Sequence, residues 1–104
     1  MRKADIYVQG TKAGTFTEFD KRNYEIQYDP NYKGHPISLT LKVRTEPYTF
    51  TDFPTFFDGL LPEGAQLDAL LRQRKIDKND HFSQLLAVGE DLVGAVQVKE
   101  SDAS

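Results

Sequence analysis

Few side chains in this chain could do chemistry. His35 sits between Gly34 and Pro36, and His81 follows Asp77 and Asp80. An Asp/Asp/His trio can hold a metal ion, but this spacing matches no zinc or calcium ligand pattern. At a helix start the same residues serve better as a cap with a solvated imidazole beside it. Asp58 and Glu63 offer a carboxylate pair for acid–base work. Ionised groups beside a helix joint normally stay in water, however. Ser38 and Ser83 have no adjacent histidine, and sequence alone neither builds nor excludes a triad.

Nucleotide chemistry has no better footing. The stretch G-E-D-L-V-G from Gly89 to Gly94 lacks the lysine and hydroxyl of a phosphate-binding loop, and Gly10 and Gly14 make no dinucleotide fingerprint. Neither a His-Arg-Asp loop nor an Asp-Phe-Gly motif is present. The basic run from Arg72 to Lys78 is broken by Asp77 and flanked by Asp68 and Asp80. With a net charge of −3, it reads as a solvated helix end and not as a nucleic-acid patch. There are no cysteines, which removes disulfides, thiolate nucleophiles and cysteine-ligated zinc. The expectation is a chain that is not an enzyme, needs no cofactor or metal, and binds no nucleic acid directly.

The elements that must position these residues fall into two halves. Of the 104 residues, 38% are apolar and 28% charged, a globular composition. A chain of this size buries roughly two-thirds of its unfolded surface, enough for one core. No run approaches the ~20 apolar residues of a membrane span, and no signal peptide opens the chain, so a soluble cytoplasmic domain is expected. In the first half the pattern has period two. Ala4, Ile6 and Val8 alternate with polar neighbours, and residues 15–19 form the return strand of a hairpin with a longer loop over Gly10–Gly14. After a turn at Asp20–Asn23, Tyr24, Ile26 and Tyr28 alternate again. A loop at residues 29–36 follows. Ile37, Leu39, Leu41 and Val43 then give the cleanest strand pattern of all.

The second half changes to helical spacing. Phe53, Phe56, Phe57, Leu60 and Leu61 make one stripe, with Thr51 or Asp52 as the cap and Pro54 in the first turn. Leu67, Leu70 and Leu71 mark a second helix, ending in Arg72, Arg74 and Lys75. Asn79 or Asp80 caps a third, carrying Phe82, Leu85 and Leu86, with Gly89 as its stop. Leu92 to Val98 reads as a last strand with Val96 and Val98 on one face, and Glu100–Ser104 as a fraying tail. The fold class is therefore α+β: an antiparallel sheet of about five strands with about three helices on one face, in one domain (1–104, core about 4–98). The stretch F-F-D-G-L-L-P-E-G-A-Q-L-D-A-L-L places a sharp joint between two helices. Its Phe and Leu residues (Phe56, Phe57, Leu60, Leu61, Leu67, Leu70 and Leu71) are expected in the core, and Pro62–Gln66 at the surface. Tyr28, Tyr32 and Tyr48 stand at strand or loop ends, where exposed aromatics would mark a partner surface.

Three segments in order resemble the N-terminal subdomain of HipA-type kinases: I-S-L-T-L-K-V (37–43), F-F-D-G-L-L-P-E-G (56–64) and H-F-S-Q-L-L-A-V-G-E-D-L-V-G-A-V (81–96). Lys42-Val43 departs from the family strand, which runs into proline, and Gly59 replaces its usual asparagine. The kinase domain that follows this subdomain in HipA is missing from the chain. A free-standing version resembles HipS, the small antitoxin of tripartite HipB–HipS–HipT systems. The resemblance implies a HipT-like Ser/Thr kinase toxin as the partner, with a HipB-like helix-turn-helix repressor in the same complex. Asp58, Leu61, Pro62, Glu63, Gly64, Ala65 and Gln66 are the expected kinase-facing residues. Ala65 projects little, so a contact there depends on backbone approach. Two alternatives stand beside this: an N-terminal packing or dimerising subdomain of a single-chain HipA-like kinase, and a small nucleotide-binding module. An initial Met and a polar tail favour an independent gene product.

Overall fold

The computed structural model describes residues 1–89, 92 and 95–101. Five strands form one sheet in the order β4-β3-β2-β1-β5, every neighbouring pair antiparallel. They are β1 (Arg2–Val8), β2 (Thr11–Asp20), β3 (Asn23–Tyr28), β4 (Tyr48–Phe50) and β5 (Val96–Glu100). Three helices, α1 (Thr55–Asp58), α2 (Gly64–Arg74) and α3 (His81–Val88), lie between β4 and β5 in sequence. The α+β class and the one-sided helical cover follow from the sequence pattern; several boundaries do not.

The period-two pattern of β1 puts Ala4, Ile6 and Val8 on the buried face. Ile26 and Tyr28 of β3, Phe16 of β2 and Val98 of β5 join them. Phe16 is the hub. Its ring centre lies 4.7 Å from Phe57, 5.2 Å from Phe82 and 5.7 Å from Phe53, so one strand residue joins β2 to α1 and α3. Burying such a ring contributes about 2 kcal/mol or more from transfer alone. On the other face, Lys99 lies over the Tyr7 ring at 5.0 Å, and Lys12 bridges Asp5 and Asp29 at 3.8 and 3.6 Å.

The β1–β2 hairpin corrects the expected long loop. Val8 pairs directly with Thr11, and Gln9 and Gly10 make a two-residue turn with φ of 51° and 82°. Two positive φ values match the right-handed twist of the strands, and Gly10 adopts its value without strain. What looked like a loop at Thr11–Gly14 is strand, with a bulge that admits Ala13 as an extra residue.

The run at residues 37–43 is not a strand. Only Ser38 and Leu41 bridge, around a tight turn. Ile37 and Leu41 are buried while Leu39 points into solvent. A turn that brings residues four apart to the same side satisfies half of a period-two pattern, so alternation alone misreads it. The loop is instead pinned by the Tyr28 hydroxyl, which accepts the Ile37 N–H at 2.8 Å and donates to the Leu41 carbonyl. Burial of this hydroxyl pushes its ionisation up. The edge position belongs to β4, a three-residue strand too short to show a period.

The first helical stripe is also shorter than its spacing suggests. α1 has four residues, and Pro54 is its N-cap, so neither Thr51 nor Asp52 caps it. From Gly59 onward the chain tightens: Leu60 N–H reaches the Phe57 carbonyl at 3.0 Å and Leu61 N–H the Asp58 carbonyl at 3.2 Å. α2 ends where Lys75 turns left-handed (φ 54°) and Ile76 N–H returns to the Leu71 carbonyl at 3.1 Å. Asp80, not Asn79, caps α3 by accepting the Ser83 N–H. Gly89 ends α3 for a different reason from the expected left-handed stop, since its φ is −59°. A Cβ there would lie 1.9 Å from the Val98 carbonyl oxygen, so glycine permits β5 to pass against the helix end. Glu90, Asp91, Val93 and Gly94, in the predicted last strand and the Gly89–Gly94 motif, lie outside the described residues, as do Asp102–Ser104 of the tail.

Candidate partner-binding surface

Two features near the helices invite attention: a charged network at the start of α3 and the joint between α1 and α2. The network begins with Arg2 on β1. Its guanidinium donates to Glu18 Oε1 at 2.8 Å, to Asp80 Oδ1 at 2.8 Å and to Ser83 Oγ at 2.8 Å, and lies over the Phe82 ring at 4.8 Å. Ser83 Oγ in turn donates to Asp80 Oδ2 at 2.7 Å. Burial raises the Asp80 carboxyl, but the hydrogen bonds from Arg2 and Ser83 outweigh it and hold the group at about 2. The Arg2 guanidinium, hydrogen-bonded to Asp80, is correspondingly raised.

Arg2, Glu18 and Asp80 of this cluster line an open cleft of about 720 Å³ together with Lys21, Tyr24, Asp52, Phe53, Asp58, Asp77 and His81. The cleft gathers Asp77, Asp80 and His81, the trio considered for a metal. Asp80 is committed to Arg2 and Ser83, Asp77 accepts the Asn79 N–H at 2.7 Å, and His81 packs on Phe53 at 5.4 Å. Among the described residues no group of three or more such side chains could hold a metal ion. Ser83 is likewise a structural hydroxyl inside the cap network. The role of Arg2 was invisible in sequence, where it is one of two adjacent basic residues at the start of the chain.

The joint is built differently. Glu63, Gly64, Ala65 and Gln66 are exposed, and Leu61 and Pro62 half-buried, so the structure brings these expected contact residues together on one corner. Asp58 is exposed and opens into the acidic cleft, linked to the corner through the Leu61 N–H on its carbonyl. Glu63, the N-cap of α2, makes no side-chain cap bond, and Gly64 has φ +58° with open space where a Cβ would sit.

The helix behind the corner departs from expectation. None of the eleven residues of α2 is buried. Leu67, Leu70 and Leu71, expected in the core, are only half-buried, as are Phe56, Leu60 and Leu61; of that set Phe57 alone is fully enclosed. The leucine spacing was read correctly as one face of a helix, and α2 packs on α3 while that face stays only half-buried. Its apolar stripe therefore stays partly in water. Of the three tyrosines, Tyr28 is buried, while Tyr32 and Tyr48 are half-buried.

Comparison with known proteins agrees with this architecture. The family profile of the HipA N-terminal domain matches residues 4–99. A solved structure, the N-terminal domain of HipA toxin, superposes with a TM-score of 0.76 at 26% identity, covering 100% of this chain and 96% of that one. A protein of Haemophilus influenzae is 32% identical over 100 residues, covering 96% of this chain and 93% of its own length. The "Putative kinase Y4mE" of Sinorhizobium fredii is 26% identical over 98% of this chain, which spans only 25% of that longer protein. By profile and by fold, the chain belongs to the HipA N-terminal domain family.

Proposed function

We propose that this chain is an antitoxin without catalytic activity of its own. It binds and restrains a HipT-like Ser/Thr kinase in the bacterial cytoplasm, within a complex that also holds a HipB-like repressor. The observation that carries this reading is α2: an eleven-residue helix with no buried residue, next to a corner whose residues Glu63–Gln66 are exposed. Half-buried leucines beside a polar rim are what a protein partner covers. Kinase catalysis requires a mobile glycine-rich loop to settle over ATP. A corner held at the end of a helix can block that movement sterically, and needs no reactive group to do so. The Haemophilus relative, matched over 93% of its length, supports the domain occurring as a separate protein.

Co-expression with a HipT-like kinase from the same organism is the test. Relief of kinase-induced growth arrest and co-purification of the two chains are expected; persistent arrest with no complex would overturn the reading. A second reading, a packing subdomain within a longer kinase, draws on the Sinorhizobium match, where this domain accounts for a quarter of the chain. The reading frame after Ser104 separates the two.

A further inference from the structure

The loop between β3 and β4 presents a second contact. Leu39 is 95% exposed at the tip of the turn, and Val43 is 39% exposed. Single exposed leucines are common, but this one is held in place. Ile37 and Leu41 on either side are 3% and 5% exposed. The buried Tyr28 hydroxyl ties both ends of the turn. Across the tip, Leu41 N–H donates to the Ser38 carbonyl at 3.1 Å, and Thr40 N–H to Ser38 Oγ at 3.3 Å. With the turn backbone fixed this way, Leu39 has little backbone freedom left to lose when its side chain enters a pocket.

The surroundings define the pocket. Between Asn31 and Pro47 the chain carries Lys33, Lys42 and Arg44 against Glu46 alone, in a protein of net charge −3. Arg44 is itself fixed, lying over the Tyr48 ring at 3.5 Å and donating to the Glu46 and Pro47 carbonyls at 3.0 and 3.2 Å. We propose that Leu39 is an anchor that enters an apolar pocket with an acidic rim on the partner kinase. Thr40 and Leu41 share a cleft of about 510 Å³ with Asp52, Pro54 and Phe56, so this contact continues to the start of α1. The inference rests on the kinase-binding reading.

The probe is a purified HipT-like kinase from the same organism, titrated by calorimetry with wild type, Leu39→Asp, Leu39→Met, Lys42→Glu and Ala65→Asp. Wild-type binding is expected, with at least a tenfold loss for Leu39→Asp, a loss for Lys42→Glu, near-wild-type affinity for Leu39→Met, and unchanged melting temperatures. Wild-type affinity in Leu39→Asp alongside a loss in Ala65→Asp overturns the Leu39 anchor and leaves the kinase reading standing. An equal loss in Leu39→Met assigns the effect to loop conformation and also overturns the anchor. No binding by wild type overturns both.

Discussion

Arg2 and Asp80 face each other at 2.8 Å, joining the first strand to the first turn of α3. The two residues are 78 positions apart. Their contact closes the layer of helices onto the sheet, and Glu18 approaches the same Nη2 nitrogen at 2.6 Å.

The pH dependence of stability follows from this pair. Asp80 is held at about 2 in the folded protein against an ordinary 3.8. Because the folded value is the lower one, the stabilisation is complete above about pH 4 and drains away as pH falls toward 2. Allowing for partial exposure, it is about 1–2 kcal/mol. Denaturant unfolding of wild type and Asp80→Asn at pH 7 and pH 2.5 should show the difference between them shrinking at the lower pH. Asp80→Ala, which also loses the cap, should cost about 1 kcal/mol more.

Two glycines separate close approach from backbone freedom. Gly89→Ala would drive a Cβ to 1.9 Å from the Val98 carbonyl oxygen and should cost roughly 3 kcal/mol as β5 is displaced. Gly64→Ala meets nothing within 4 Å and should cost only about 1 kcal/mol, the strain of a left-handed alanine. Urea midpoints of the two variants should differ in that order.

Removing the Tyr28 hydroxyl strips the Ile37 N–H and the Leu41 carbonyl of a buried partner. Tyr28→Phe should destabilise by about 1–3 kcal/mol. Hydrogen exchange at Ile37 should accelerate well beyond the change at β1 amides.

Phe16→Ala empties the centre of the aromatic cluster and should cost about 3–5 kcal/mol. Thermal melting and near-ultraviolet circular dichroism would both register it, since Tyr24 stacks on Phe16 with ring centres 5.9 Å apart.

Ala65→Asp tests the corner. The position is exposed, so stability should change by no more than about 0.5 kcal/mol, while kinase affinity should fall at least tenfold. A folded variant that still restrains the kinase would remove the corner from the interface.

By itself the sequence determined the strands with clean alternation in β1 and β3, the third helix with a cap at Asn79 or Asp80, and the α+β class. In each case residues close in sequence carry the signal, through pleat, helical period or cap chemistry. Tertiary structure decided the rest. The alternating run at 37–43 became a turn because the Tyr28 hydroxyl, nine or more positions away, binds both of its ends. The stripe from Phe53 to Leu61 became a single helical turn because only Phe57 is fully enclosed, against Phe16. The leucines of α2 share one face, as their spacing requires, yet α2 packs on α3 and leaves that face half-buried. Periodicity specifies which side chains share a face; only packing specifies what that face meets, and here part of it meets water.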